Sequence, residues 1–152
     1  AISAQAGGET QRVATRINVR DKLDIQVMPA KDTAEVFLLV ETGRAAGAIN
    51  DDALAHATVA GAKRPGDYKI GTKGLEFAPY GILEPEDDAP FKAAVDKAVV
   101  ELIQDGTVAR LYARYFEQPI PPKGINLELP MSDVLTRALA NPTDSGDEAA
   151  YR

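Results

Sequence analysis

The chain has 152 residues and a formal net charge of −6 with a pI near 4.8, which excludes the basic footprint that nucleic-acid binding requires. Its 45% hydrophobic and 26% charged residues describe a globular domain able to bury a core unaided, and the absence of Cys excludes disulfides, thiolate catalysis and Cys-held metals. No apolar run approaches the ~20 residues of a membrane-spanning helix, and the opening Ala1-Ile2-Ser3-Ala4 reads as the middle of a fold with no signal peptide.

Residues 1–6 alternate small and apolar side chains and predict a strand. Gly7-Gly8 break it, and a helix follows over 9–20 with Val13, Ala14 and Ile17 inward. A strand, a glycine turn and a helix start leave first-turn amides unpaired, a potential anion or acceptor site. Gly-Gly-Glu-Thr is neither a dinucleotide fingerprint nor a P-loop, so no nucleotide cofactor is expected. Residues 23–28 (Leu-Asp-Ile-Gln-Val-Met) alternate strictly and predict a second strand, ended by Pro29. The next helix runs to about Thr42, with Ala34, Phe37, Leu38 and Val40 on its buried side and Gly43 as C-cap.

Residues 46–49 form a short apolar run bounded by turn residues and predict a third strand, ending on Asp51-Asp52. In open α/β sheets ligands bind beyond the carboxyl ends of strands, so a carboxylate there can hold a cationic group. Asp is equally a preferred helix N-cap, and position alone leaves both readings open. The helix over 52–62 carries Leu54, Ala55, Thr58 and Val59 inward; His56, the sole histidine, reads as a surface residue and not a metal ligand. Residues 68–71 and 76–83 predict further strands, the latter an edge or crossing segment because of Pro79. Such alternation implies a mainly parallel α/β sheet with helices on both faces.

Consecutive helices follow. Asp88 caps one whose apolar positions Phe91, Ala94, Val95, Ala98, Val99, Leu102 and Ile103 repeat at helical spacing. Gly106 ends it and Thr107 caps the next, where Tyr112, Tyr115 and Phe116 read as core. A last helix is expected over 131–140, and residues 141–152 as a frayed polar tail.

The ordered set Ala30-Lys31-Asp32, Glu41-Thr42-Gly43-Arg44-Ala45, Asp51-Asp52-Ala53-Leu54, Tyr80-Gly81-Ile82, Phe91-Lys92, Asp105-Gly106-Thr107, Tyr115-Phe116 and Pro119-Ile120-Pro121-Pro122-Lys123, with Asn126-Leu127, resembles the family 3 extracellular solute-binding proteins of polar amino-acid ABC transporters. Within that family it is most similar to the glutamate/aspartate-binding branch. The resemblance implies a type II periplasmic-binding-protein fold, in which two hinged lobes close on an amino acid that is then passed to a membrane permease. It implies that this sequence is the carboxyl-terminal portion. Residues 1–77 would be the second, ligand-binding lobe, 78–84 a returning hinge strand, and 85–152 helices and tail that pack on a missing first lobe. Without that lobe an apolar helical face would be exposed, and the isolated chain would bind ligand weakly or not at all.

By the same resemblance Asp51 accepts the ligand's α-ammonium group while Asp52 caps the helix. Gly8, Glu9 and Thr10 supply amide and hydroxyl contacts, and Thr33 stands in a ligand-facing loop. Two positions depart from the pattern. Glu9 replaces the usual hydroxyl residue, where an acid would repel an acidic ligand, and Thr33 replaces a histidine. Arg12 is a candidate to compensate Glu9. Periplasmic location and a polar or acidic amino-acid ligand are implied, with no cofactor and no catalysis. The competing readings are a periplasmic dehydratase of the same family using Glu9 as an acid, and a free-standing or swapped lobe associating through its apolar helices.

Overall fold

The computed structural model describes residues 1–151; Arg152, the end of the expected tail, lies outside them. The chain divides into two compact units, Ala1–Glu76 and Phe77–Arg152.

The first unit runs β1 (Ile2–Gln5), α1 (Glu9–Arg20), β2 (Val27–Ala30), α2 (Thr33–Glu41), β3 (Gly47–Ala48) and α3 (Asp52–Ala60). The sheet has three strands, all parallel, in the order β2-β1-β3. The α/β class and the parallel sheet expected from the sequence are both present. From β1 the chain steps outward to β2, then back across β1 to β3. Right-handed crossovers in opposite directions place α1 and α2 on opposite faces. The central strand shows it: Ser3 and Ala4, adjacent and therefore facing opposite ways, are both fully buried. Ser3 Oγ donates to the Val36 carbonyl of α2 at 2.8 Å, so the buried Ser3 hydroxyl is satisfied. Ala30, Val36, Leu39 and Ala45 form the core beneath α2, with Met28 and Val40 packed against them. Val13 and Ala14 are the buried residues of α1.

The second strand is displaced from the expected 23–28. Asn18 receives the Ile25 amide at 2.9 Å and donates to the Ile25 carbonyl at 2.7 Å, occupying the groups a strand would use. Lys22 and Asp24 both sit at φ 51°, outside extended geometry. Pairing begins only at Val27 and runs through Pro29, the residue expected to stop it. The carbonyls of Gln26 and Ala30 face β1, accepting from Ile2 and Ala6 at 2.9 and 2.7 Å. The intervening Pro29 thus turns its nitrogen to the open side of an edge strand, where a missing N–H costs nothing.

The buried side of α2 is also not the expected one. Val36 and Leu39 are buried, whereas Ala34 is exposed, Phe37 is half-buried and Leu38 is 52% exposed. Residues 36–40 are all apolar, so periodicity there selects no face. The helix start is well determined. Asp32 Oδ1 accepts the Glu35 amide at 2.8 Å, and Glu35 Oε2 accepts the Lys31 amide at 2.7 Å. Asp32→Ala is expected to lower stability by about 1 kcal/mol, read as a shift of the urea midpoint. Gly43, at φ 71°, follows the helix end and donates to Val40 at 3.0 Å, as expected of a C-terminal glycine.

Residues 68–71 and 76–83 form no strand. A strand needs a paired edge, and among the described residues none lies alongside them. Tyr80 and Leu83 are 91% and 99% exposed. The expected hinge strand at Tyr80-Gly81-Ile82 is therefore not a strand in this structure.

The second unit holds α4 (Ala89–Gln104), α5 (Thr107–Phe116) and α6 (Asp133–Ala140). Asp88 accepts the Phe91 amide at 2.9 Å, capping α4 as expected. Gly106, at φ 76°, is the N-cap of α5, so Thr107 lies inside the helix; the Thr107 amide donates to Asp105 at 2.8 Å. Tyr112 and Phe116 stack at 4.5 Å and are half-buried, while Tyr115 is exposed, so only part of the aromatic stripe is sheltered. None of the three helices contains a buried residue, and Phe91, Leu102 and Leu111 stay nearly half exposed.

The tail, expected to fray, carries a 3₁₀ turn at Glu148–Tyr151, and Asp144 binds Lys92 at 2.7 Å. The Asp144 carboxyl is held below its usual range by the hydrogen bond from Lys92, and the Lys92 ammonium is raised by Asp144 and then Asp96. The depressed carboxyl contributes above its ordinary value and loses its contribution as pH falls through the folded value. The raised ammonium contributes at neutral pH and loses it only in strong base. Amide shifts of Asp144 and Ser145 are therefore expected to hold steady across neutral pH and to move only in acid below the ordinary carboxylate value of about 4. Movement centred near neutrality would contradict the pairing.

Candidate functional site

Parallel strands end on one side of their sheet, so the loops after β1, β2 and β3 share one edge. Gly8, Glu9 and Thr10 follow β1, Thr33 follows β2, and Asp51 follows β3. With the order β2-β1-β3, successive connections diverge to opposite faces between β1 and β3. That divergence opens the crevice in which α/β sheets bind ligands. Gly8–Thr10 and Asp51 flank it. Thr33 lies beyond β2, two strand spacings from β3 or about 10 Å. The structure thus brings four of the sequence-selected residues to one crevice and leaves the fifth at its outer margin.

The turn before α1 is tight. Gly7 sits at φ 68°, and the Gly8 amide donates to the Gln5 carbonyl at 3.2 Å. A Cβ on Gly8 would meet that carbonyl at 3.3 Å, closer than ordinary contact. Gly8 is the N-cap and has no side chain to offer the first turn; Arg12 is the first amide to bond back, to Gly8 O at 3.3 Å. The first-turn amides and the positive end of the helix dipole therefore face the crevice without a side-chain cap.

Glu9 is exposed, and its carboxylate is held from behind. Its Oε2 accepts from Arg12 Nε at 2.8 Å and Nη2 at 2.5 Å, and Arg12 Nη1 donates to the Gly7 carbonyl at 3.2 Å. Gln11 Oε1 accepts the Gly7 amide at 2.7 Å. Arg12 was placed by sequence only as a candidate partner, and Gln11 was missed. The i,i+3 spacing of Glu9 and Arg12 on a helix is the signal that points to the pair.

Asp51 occupies the N-cap position of α3, and its carbonyl accepts the Ala55 amide at 2.8 Å, but its side chain makes no cap hydrogen bond. Asp52, expected as the cap, is the first residue inside the helix, and its carboxylate accepts the Ala53 amide at 2.7 Å. The backbone cap thus belongs to Asp51. Thr33 opens α2, whose N-terminus Asp32 already caps, and it lines a separate groove of about 770 Å³ along that helix with Lys31, Glu35 and Thr58. Among the described residues no group of three or more His, Cys, Asp or Glu side chains could hold a metal, and no helix is long and apolar enough to cross a membrane.

No protein-family model matches the chain. It is 40% identical over 147 residues, 97% of its length, to an L-glutamate/L-aspartate-binding protein of Pseudomonas aeruginosa. It is 28% identical over 144 residues, 95% of its length, to the glutamate/aspartate import solute-binding proteins of Escherichia coli and of Salmonella typhimurium. These alignments take in 49%, 48% and 48% of the respective relatives, so the chain spans about half the length of the curated relatives it matches. The resemblance carried by the ordered motifs is borne out: this chain is related along nearly all of its length to the glutamate/aspartate solute-binding proteins.

Proposed function

We propose that this chain is the carboxyl-terminal portion of a two-lobe periplasmic solute-binding protein that takes up an acidic amino acid for an ABC-transporter permease, and that the edge bearing Gly8, Glu9, Thr10 and Asp51 is one jaw of the binding site. The observation that carries the reading is the β1/β3 crevice, where a helix start without a side-chain cap faces Asp51, in a chain related over 95–97% of its length to proteins named for glutamate and aspartate. The two sides of the crevice suit the two charges of an amino acid. Asp51 attracts the α-ammonium group, and the first-turn amides of α1 with Thr10 accept an anionic group. Thr33 serves as an outer contact, reached when the ligand is enclosed. Phe91, Leu102, Leu111 and the exposed segment around Tyr80 supply the surface on which the first lobe packs.

The dehydratase reading needs Glu9 as a proton donor to substrate, but the Glu9 carboxylate is tied by a two-pronged contact to Arg12. The binding reading needs no such transfer. Calorimetry on the full-length protein with glutamate, aspartate and glutamine tests it. One-to-one binding of an acidic amino acid is expected, and this chain alone should bind at least about 100-fold more weakly, because a small ligand draws its affinity from being mostly enclosed. No heat with any amino acid, or turnover of a prephenate-like compound that Glu9→Gln abolishes, would overturn it.

A further inference from the structure

We infer that Arg12 is a positioning residue that sets the charge preference of the site, by holding the Glu9 carboxylate back along α1 and cancelling its charge. The inference rests on the amino-acid-binding reading above and concerns selectivity within it. A carboxylate on the first residue of a helix has two places to go. It can fold over the unpaired first-turn amides, where the helix dipole favours an anion, or it can lie along the helix toward a cation one turn on. In the first arrangement Glu9 would occupy the position an acidic ligand group needs and would repel it. The structure shows the second. Arg12 takes the carboxylate with Nε and Nη2 at 2.8 and 2.5 Å, and its remaining Nη1 bonds the Gly7 carbonyl at 3.2 Å. The guanidinium is thereby fixed at both ends, to the glycine turn and to the acid. Gln11 holds the same turn from the other side through the Gly7 amide at 2.7 Å. A planar fork can grip a carboxylate and a carbonyl together in this way, whereas an ammonium is a point charge without that geometry.

Exposed ion pairs add little to folding, so the consequence falls on the ligand. Without Arg12 an uncompensated negative charge stands at the mouth of the crevice. The test measures dissociation constants of the full-length protein for glutamate and for glutamine, which differ in side-chain charge at nearly equal size. Arg12→Gln is expected to weaken glutamate about 10-fold while glutamine stays within about 3-fold, the scale of a partly screened like-charge contact. Arg12→Lys should fall between the two, since it keeps charge and loses the fork. Adding Glu9→Gln to Arg12→Gln should bring the glutamate-to-glutamine ratio back to within about 3-fold of the parent, because the charge to be compensated is gone. An unchanged urea midpoint separates these effects from unfolding. Equal losses for both ligands, an unmoved ratio, or a second substitution that fails to restore it would overturn the assignment to Arg12. A parent protein that bound neither amino acid would instead sink the binding reading, and this inference with it.

Discussion

Asp51→Asn in the full-length protein is expected to weaken amino-acid binding about 100-fold while leaving the fold intact. Truncating one partner of a desolvated, hydrogen-bonded charge pair costs about 2–5 kcal/mol, and the lower half of that range corresponds to this factor. The substitution removes the charge at nearly equal size. Asn is as good an N-cap as Asp, and Asp51 contributes to α3 through its carbonyl, which accepts from Ala55 and is unaltered. Asp52→Asn is the matched control. Its carboxylate lies inside the first turn against the Ala53 amide, and the change should move affinity by less than about 3-fold. Calorimetry on the two variants separates adjacent acids that position in the sequence could not. Equal losses would mean that the general negative potential of the edge attracts the ligand and no single carboxylate is its partner.

Leu39→Ala is expected to destabilise the first unit by about 2–5 kcal/mol, whereas Leu38→Ala should cost no more than about 0.5 kcal/mol. The two leucines are adjacent and chemically identical, and only packing distinguishes them. Leu39 is 5% exposed in the cluster with Ala30, Val36 and Ala45, and Leu38 is 52% exposed. The neighbours are small alanines and a valine from a strand, a helix and a loop, so a truncated Leu39 leaves a hole that rigid backbone cannot close. Urea unfolding of the two variants reads the difference directly. The reverse order would restore the face of α2 that the sequence suggested.

Local sequence carries the structure at some elements of this chain and not at others. The bounds of α1 match the expected 9–20, because a glycine break, a clear apolar stripe and a basic end all agree. The cap at Asp88 sits where the sequence placed it, ahead of an apolar repeat, whereas Asp32 read as loop and Ser132 as helix. The second strand was legible in pattern but misplaced, since the alternation over Leu23–Met28 takes no account of Asn18 capturing both polar groups of Ile25. Residues 68–71 and 76–83 have strand-like composition and no strand. Pairing is a property of two segments, and one segment's sequence cannot report the absence of the other. The crevice was half legible: the acids and the glycine turn were visible, but strand order is tertiary information, and it is strand order that sets Asp51 and Gly8–Thr10 on the two sides of one opening while putting Thr33 outside it. Glu9 shows the same limit. Alone it reads as a charge hostile to an acidic ligand; only the Arg12 contacts show that charge neutralised.

On the proposed reading, the β1/β3 crevice edge is the jaw that contacts an acidic amino acid. The most direct measurement is a ¹⁵N-resolved titration of the full-length protein with glutamate, following the amides of this chain. The largest shifts are expected at Gly8, Glu9, Thr10 and Asp51, with a smaller response at Thr33 and saturation at one equivalent. A saturating titration that left Gly8–Thr10 and Asp51 unmoved, with shifts concentrated instead along the α2 groove or on α4 and α5, would contradict it.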